Sequence, residues 1–162
     1  MPEKQIKDFL RQSDRLLVLA IGSELRSDDA VGMYIADELL KYNPDNAKLC
    51  VIKGATAPEN FTGEIKKYKP SDMIVIDAAD TGKEPGGIDI IDASDITGAS
   101  FSTHMMPINV FLDYLFRDFE CRVLIIGIQP QTLEFGIGIS EIVKKTADKI
   151  VLSIKEATEN GK

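Results

Sequence analysis

The sequence has few of the residues that most often bind metals or form cross-links. Its 162 residues include one histidine, His104, two cysteines and no tryptophan. Cys50 and Cys121 lie in separate apolar runs, with no C-x-x-C pair, so neither a disulfide scaffold nor a cysteine-based zinc site is indicated. We expect both to be buried free thiols. A transition-metal site that uses nitrogen must use His104, because the chain has no other imidazole.

Long apolar runs are also missing. No segment approaches the roughly 20 apolar residues that span a bilayer, and the polar start at residues 1–5 has no apolar region of the signal-peptide kind. We therefore expect a cytoplasmic protein. A net charge of −7 argues against nucleic acids and anionic membranes as partners. The phosphate-binding motifs G-x-G-x-x-G and G-x-x-x-x-G-K-[ST] and the nucleophile motif G-x-S-x-G are absent, so dinucleotide, P-loop and serine-hydrolase sites lack support.

The chain alternates short apolar runs with amphipathic segments. The runs predict strands over 16–21, 48–53, 73–76, 88–91 and 123–128, and the segments between them predict helices over 4–13, 30–42, from 58 onward, 107–116 and 141–159. This order predicts a single α/β domain over residues 1–162. We expect a three-layer sandwich, in which a twisted, mostly parallel five-stranded sheet carries helices on both faces.

Two finer expectations concern the fourth strand and the last helix. The short, turn-rich link at 81–87 predicts a hairpin between the third and fourth strands, and hence one antiparallel strand. The inner face of the last helix is expected to consist of Ile142, Ala147, Ile150, Val151 and Ile154.

Acidic residues and the histidine follow strands of the predicted sheet. Asp28 and Asp29 come after the first strand, Asp77 ends the third, and His104 follows the fourth. In parallel α/β sheets the ligand crevice lies beyond the carboxyl ends of the strands, so these groups are expected at one edge. Two carboxylates and one imidazole suit a borderline divalent ion such as nickel or zinc.

Each of these residues also has a purely structural interpretation. Adjacent residues rarely face one point, so Asp28 or Asp29 is expected to cap the following helix. Asp77 could close an Asx-turn, and His104 could bond only to backbone. A receiver-type signalling domain places acidic residues similarly, but it needs a lysine after the fifth strand, where this chain has Gly127 to Pro130.

Five motifs resemble those of the NiFe-hydrogenase maturation proteases, in the same order. They are AIGSELRSDDAVG at 20–32, GATAPEN at 54–60, IDAAD at 76–80, STHMMP at 102–107 and GIQP at 127–130. The match covers roughly residues 16–155. The second, fourth and fifth motifs bring the chain nearest to the type that processes the hydrogenase-3 large subunit of formate hydrogenlyase.

The resemblance implies a specific activity. Such proteins are endopeptidases that remove a C-terminal extension from the hydrogenase large-subunit precursor once nickel has been inserted. The family's metal-contacting residues correspond to Asp29, Asp77 and His104, which we take as the candidate metal and catalytic residues. The implied metal is the precursor's nickel, with another divalent cation as a surrogate, and a monomer is favoured. Whether the metal activates the peptide or water, or a carboxylate acts as general base, stays open.

One position departs from the family pattern. Lys53 stands where the family usually has aspartate before Gly54, which replaces a carboxylate near the site with a cation. The same three metal-contacting residues would also serve a non-catalytic nickel carrier or a chaperone that binds the precursor without cutting it. Cleavage of the precursor distinguishes the two functions.

Overall fold

The fold is an α/β sandwich, in agreement with the sequence prediction. The computed structural model describes residues 2–42, 48–92 and 108–160. Its five strands form one sheet in the order β2-β1-β3-β5-β4, in which all neighbours are parallel except β4 and β5. The strands are β1 Leu16–Ile21, β2 Leu49–Ala55, β3 Asp72–Ala78, β4 Ile88–Asp92 and β5 Arg122–Ile128.

The helices cover both faces of this sheet. They are α1 Pro2–Arg11, α2 Val31–Tyr42, α3 Thr62–Tyr68, α4 Ile108–Leu115 and α5 Glu141–Asn160, with 3₁₀ helices at Ser27–Ala30 and Pro58–Phe61. The proline at 58 therefore begins a 3₁₀ turn, and the α-helix follows at Thr62. Within the described residues, no helix is long and apolar enough to cross a membrane.

Alternate residues of the central strands supply two cores. Every residue of β1 is buried, as its unbroken apolar run predicts. Leu16 and Val18 pack with α1, α2 and α5, while Leu17 and Leu19 pack with α3 and α4 on the opposite face. The period-2 alternation of a strand thus explains why an all-apolar sequence is needed in the middle of the sandwich.

The strand order places a crevice between β1 and β3. The chain goes from β1 to β2 on one side, then crosses back to β3 on the other side of β1. Ligands of open α/β sheets bind at such a switch point, outside the carboxyl ends of the two strands. The Ser27–Ala30 turn follows β1, and Asp77 lies near the carboxyl end of β3.

The predicted hairpin between the third and fourth strands is wrong. β4 is antiparallel, as expected, but it pairs with β5 and not with β3. The link between them runs across the end of β5, because Ala79 donates to the carbonyl of Ile128 at 3.0 Å and Gln129 donates to that of Gly87 at 2.9 Å. These bonds hold the link against the end of β5, and β4 then pairs with the edge of β5 opposite β3. The third and fourth strands are therefore not neighbours, although the link between them is short.

Two predictions about burial need correction. Ile142 is 43% exposed, whereas the other four predicted residues are buried as expected. Val143 completes the inner face in its place, because it lies one helical turn before Ala147 and Ile142 does not. Cys50 and Cys121 are free thiols, as expected, but they are only partly buried. Cys121 lies immediately before β5 rather than within it.

Candidate functional site

The carboxylate of Asp29 lies at the end of β1, inside the first 3₁₀ turn. Asp29 is fully buried. Its Oδ2 accepts a hydrogen bond from the backbone N–H of Ser23 at 2.9 Å, and its own N–H donates to the carbonyl of Arg26 at 3.0 Å. One bond holds the carboxylate of Asp29, and the other holds its backbone, so the turn fixes the position of this residue.

Asp77 occupies the equivalent position at the end of β3. It is 1% exposed, and neither of its carboxylate oxygens has a hydrogen-bond partner among the residues the structure describes. Buried polar groups are nearly always paired, so an orphaned carboxylate at a switch point indicates a group that binds something else. Asp77 makes no Asx-turn; Asp80 does, by accepting from the N–H of Gly82 at 3.3 Å.

The two carboxylates influence each other electrostatically. Burial raises the pKa of Asp77 well above the ordinary carboxyl value, and the negative charge of Asp29 raises it further. The backbone N–H of Ala78 opposes this rise in pKa by favouring the charged carboxylate. Two buried carboxylates held together in this way favour a positive charge between them.

Gly22 makes the approach of the two acidic residues possible. A Cβ at this position would lie 1.9 Å from the backbone oxygen of Asp29 and 3.7 Å from Oδ1 of Asp77. The residue also has φ +137°, a conformation that L side chains rarely adopt. In the sequence, Gly22 directly follows the apolar run at 16–21 and precedes the acidic turn, and this position is the signal that it is part of the site.

Asp28 has a different function from its neighbour. Its Oδ2 accepts hydrogen bonds from the N–H groups of Gln131 (2.8 Å) and Thr132 (3.3 Å) and from Ser140 Oγ (2.9 Å), and its Oδ1 accepts from the N–H of Ser140 at 2.6 Å. The predicted helix cap is therefore wrong for Asp28, since its carboxylate instead anchors both ends of the 131–140 loop.

The GIQP segment also has a positioning function. Oε1 of Gln129 accepts from the N–H of Thr81 at 2.6 Å and from its hydroxyl at 3.0 Å. These bonds tie the turn after β3 to the end of β5. The amide of Gln129 therefore fixes the segment that follows Asp77.

Lys53 does not act as an unpaired cation. Its Nζ lies 2.8 Å from Oδ1 of Asp37 and 3.4 Å from Oε1 of Glu24, and the hydrogen bond with Asp37 raises its pKa. The positive charge of Lys53 is thus matched by two carboxylates of the chain itself.

His104 belongs to residues 93–107, which lie outside the described part of the structure. Its predicted contact with the carboxylates therefore stays a prediction. Within residues 2–42, 48–92 and 108–160, no three His, Cys, Asp or Glu side chains come together as a metal site. Asp29 and Asp77 are brought together there, and Asp28 is directed elsewhere.

Comparison with known proteins gives a consistent set of matches. Residues 33–157 match the family model described as hydrogenase maturation protease. A putative hydrogenase maturation protease of Methanocaldococcus jannaschii is 34% identical, over 99% of this chain and 98% of its own length. The hydrogenase 3 maturation protease of Escherichia coli K12 is 31% identical, over 90% of this chain and 92% of its own.

Solved structures agree with these relatives. The crystal structure of a [NiFe] hydrogenase maturation protease, HycI, from Thermococcus kodakarensis matches with a TM-score of 0.87 and 27% identity, over 96% of this chain and 99% of that one. The solution structure of the endopeptidase HycI from Escherichia coli matches with a TM-score of 0.75 and 30% identity, over 88% and 90%.

Proposed function

The chain belongs to the hydrogenase maturation protease family, and we propose that it removes the C-terminal extension of a NiFe-hydrogenase large-subunit precursor after nickel insertion. The curated and solved relatives named as hydrogenase 3 maturation proteases and HycI endopeptidases support the protease activity and a hydrogenase precursor as substrate. The cleavage at the C-terminal extension and the order of events, with nickel first and cleavage second, are the parts that we add.

The observation that carries the proposal is the buried carboxylate pair. Neither oxygen of Asp77 has a hydrogen-bond partner in the part of the chain that the structure describes, and Asp29 is fully buried beside it. A divalent cation fits such a pair, because two carboxylates balance its charge, and the imidazole of His104 would add the nitrogen donor that suits a borderline metal such as nickel. In this proposal the cation is the precursor's own nickel, which is part of the substrate, and another divalent ion can serve as a surrogate.

Asp29, Asp77 and His104 act together in the proposed reaction. The two carboxylates and the imidazole contact the nickel while the precursor keeps its own ligands, so the scissile peptide is placed only when metal is present. Because metal ligands must be deprotonated, docking of the cation displaces the proton that the raised pKa of Asp77 favours. The displaced proton passes from the Asp77 oxygen to solvent water.

The decisive experiment compares two forms of the precursor. Purified protein is mixed with nickel-loaded and nickel-free large-subunit precursor, and the mass of the large subunit is measured. We expect loss of the C-terminal peptide only in the nickel-loaded sample. Unchanged mass in both samples refutes the protease proposal and favours the non-catalytic nickel carrier or chaperone.

Variants locate the activity in the proposed site. Asp29→Asn, Asp77→Asn and His104→Ala should each abolish cleavage while the far-ultraviolet circular dichroism stays that of the parent. Asp80→Asn is the matched control, since this exposed carboxylate lies three residues from Asp77 and accepts a hydrogen bond from Gly82 within its own turn. Full cleavage by any of the three site variants would remove that residue from the mechanism.

A further inference from the structure

Two neighbouring segments, residues 25–28 and 131–140, expose large apolar side chains beside the carboxylate pair. We call them the apolar loop pair. Leu25 is 65% exposed, Phe135 85% and Ile137 93%. Single exposed apolar residues are ordinary, but three on adjoining segments, two of them nearly fully exposed, form a patch of the kind that marks an interaction site.

Hydrogen bonds between the segments hold this patch in place. Gly136 donates to the carbonyl of Leu25 at 2.9 Å, and Ser27 donates to the carbonyl of Gly136 at 2.9 Å. The hydroxyl of Ser27 donates to the carbonyl of Glu134 at 2.8 Å, while the backbone of Ser27 has φ +50°. These contacts stabilise a strained residue, so the exposed side chains are presented by an ordered structure.

The apolar loop pair is continuous with the proposed active site. Asp28, which anchors the 131–140 loop, directly precedes Asp29 in the same 3₁₀ turn. The loop also leaves from the carboxyl end of β5, the strand that pairs with β3 beside Asp77. A protein whose scissile segment reaches the carboxylate pair therefore has its folded part next to Leu25, Phe135 and Ile137.

The size of the patch suits a transient protein partner better than a stable second copy. Three such side chains offer on the order of 400 Å², whereas a stable interface needs about 800 Å² from each partner. A protease must also release its product, which a contact of limited area allows.

We propose that the apolar loop pair docks onto an apolar depression on the folded body of the hydrogenase precursor, apart from the peptide that is cut. This inference rests on the proposed function. The carboxylate pair then reports whether nickel is present, and the apolar loop pair supplies affinity that does not depend on nickel. Both nickel-loaded and nickel-free precursors therefore bind through it.

The test replaces the two most exposed side chains. In Phe135→Ser/Ile137→Ser, Gly136 and Asp28 are kept, so the hydrogen bonds that hold the loop remain. We expect KM for nickel-loaded precursor to rise at least tenfold with kcat unchanged, and the affinity for nickel-free precursor, measured by surface plasmon resonance, to fall by a similar factor. Leu152→Ser is the matched control, because Leu152 is 56% exposed on α5, away from the loop pair.

The outcomes separate this inference from the function on which it rests. If the parent protein does not cleave nickel-loaded precursor, the proposed function fails. If the parent cleaves and the double variant has the same KM, only the docking inference is overturned. The oligomeric state of both proteins is measured by light scattering. If KM is unchanged, and the parent is a dimer while the double variant is a monomer, the patch binds a second copy of the chain.

Discussion

Replacing Asp77 with asparagine should stabilise the metal-free protein while abolishing its activity. Asp77 is 1% exposed, and its oxygens lack partners among the described residues. Burial, and then the charge of Asp29, raise its pKa. Asparagine has nearly the same shape but removes the charge and the repulsion. Leaving a buried polar group without partners costs about 1–3 kcal/mol, and leaving a charged group costs more. Removing the charge should therefore raise the free energy of unfolding by about 1–2 kcal/mol.

The direction of the pH dependence follows from the raised pKa. At pH values somewhat above 3.8, the ordinary carboxyl pKa, Asp77 still carries its proton in the folded protein. In the unfolded chain the same carboxyl group has lost its proton. Between the two pKa values the folded state binds more protons, so its stability falls as pH rises. Asp77→Asn lacks this loss. The free energy of unfolding of Asp77→Asn should therefore exceed that of the parent only slightly near pH 4, and the difference should grow toward neutral pH.

Thermal unfolding with chelator present measures the effect. At neutral pH, Asp77→Asn should raise Tm by about 2–8 °C, given about 2–4 °C per kcal/mol for a domain of this size. The control Asp80→Asn should stay within about 0.5 kcal/mol of the parent, as exposed substitutions do. A lower Tm for Asp77→Asn at every pH would refute the argument, because it would mean that the carboxylate has stabilising partners in the fold.

Two further predictions concern the anchor and a thiol. Asp28→Ala removes four hydrogen bonds to the 131–140 loop and should lower the free energy of unfolding by about 3–5 kcal/mol in urea titrations. Ser140→Ala, which loses only the hydroxyl bond, should cost about 1 kcal/mol, and equal losses would contradict the anchoring function. Burial raises the pKa of Cys121 to about 12. Its alkylation at pH 8 should therefore be at least tenfold slower in the native protein than in urea, and equal rates would contradict the burial.

The sequence predicts the layers of this fold well because burial on both faces leaves a clear signal. The runs at 16–21 and 123–128 are unbroken apolar stretches, and both are interior strands. The partner of β4 could not be predicted, because a strand's own sequence carries its period and not its neighbour. That neighbour was decided by bonds from 79–87 to the end of β5.

The site shows a similar limit. Asp28 and Asp29 are identical and adjacent, so local sequence cannot separate their functions. The groups that engage Asp28 lie 103 to 112 residues later in the chain. The position of Asp77 at a carboxyl strand end was predictable from alternation of strands and helices, whereas the requirement for Gly22 beside it depends on a close approach that only the folded chain reveals.

The anchoring of the 131–140 loop by one side chain has an evolutionary consequence. Asp28 holds residues 131, 132 and 140, so the segment between these points can change its sequence or length while its ends stay fixed. Because Asp28 holds the ends of that segment, its sequence can diverge while the proposed site residues Asp29 and Asp77 stay unchanged. On the docking proposal, a graft of residues 133–139 from a relative should redirect the enzyme to that relative's substrate.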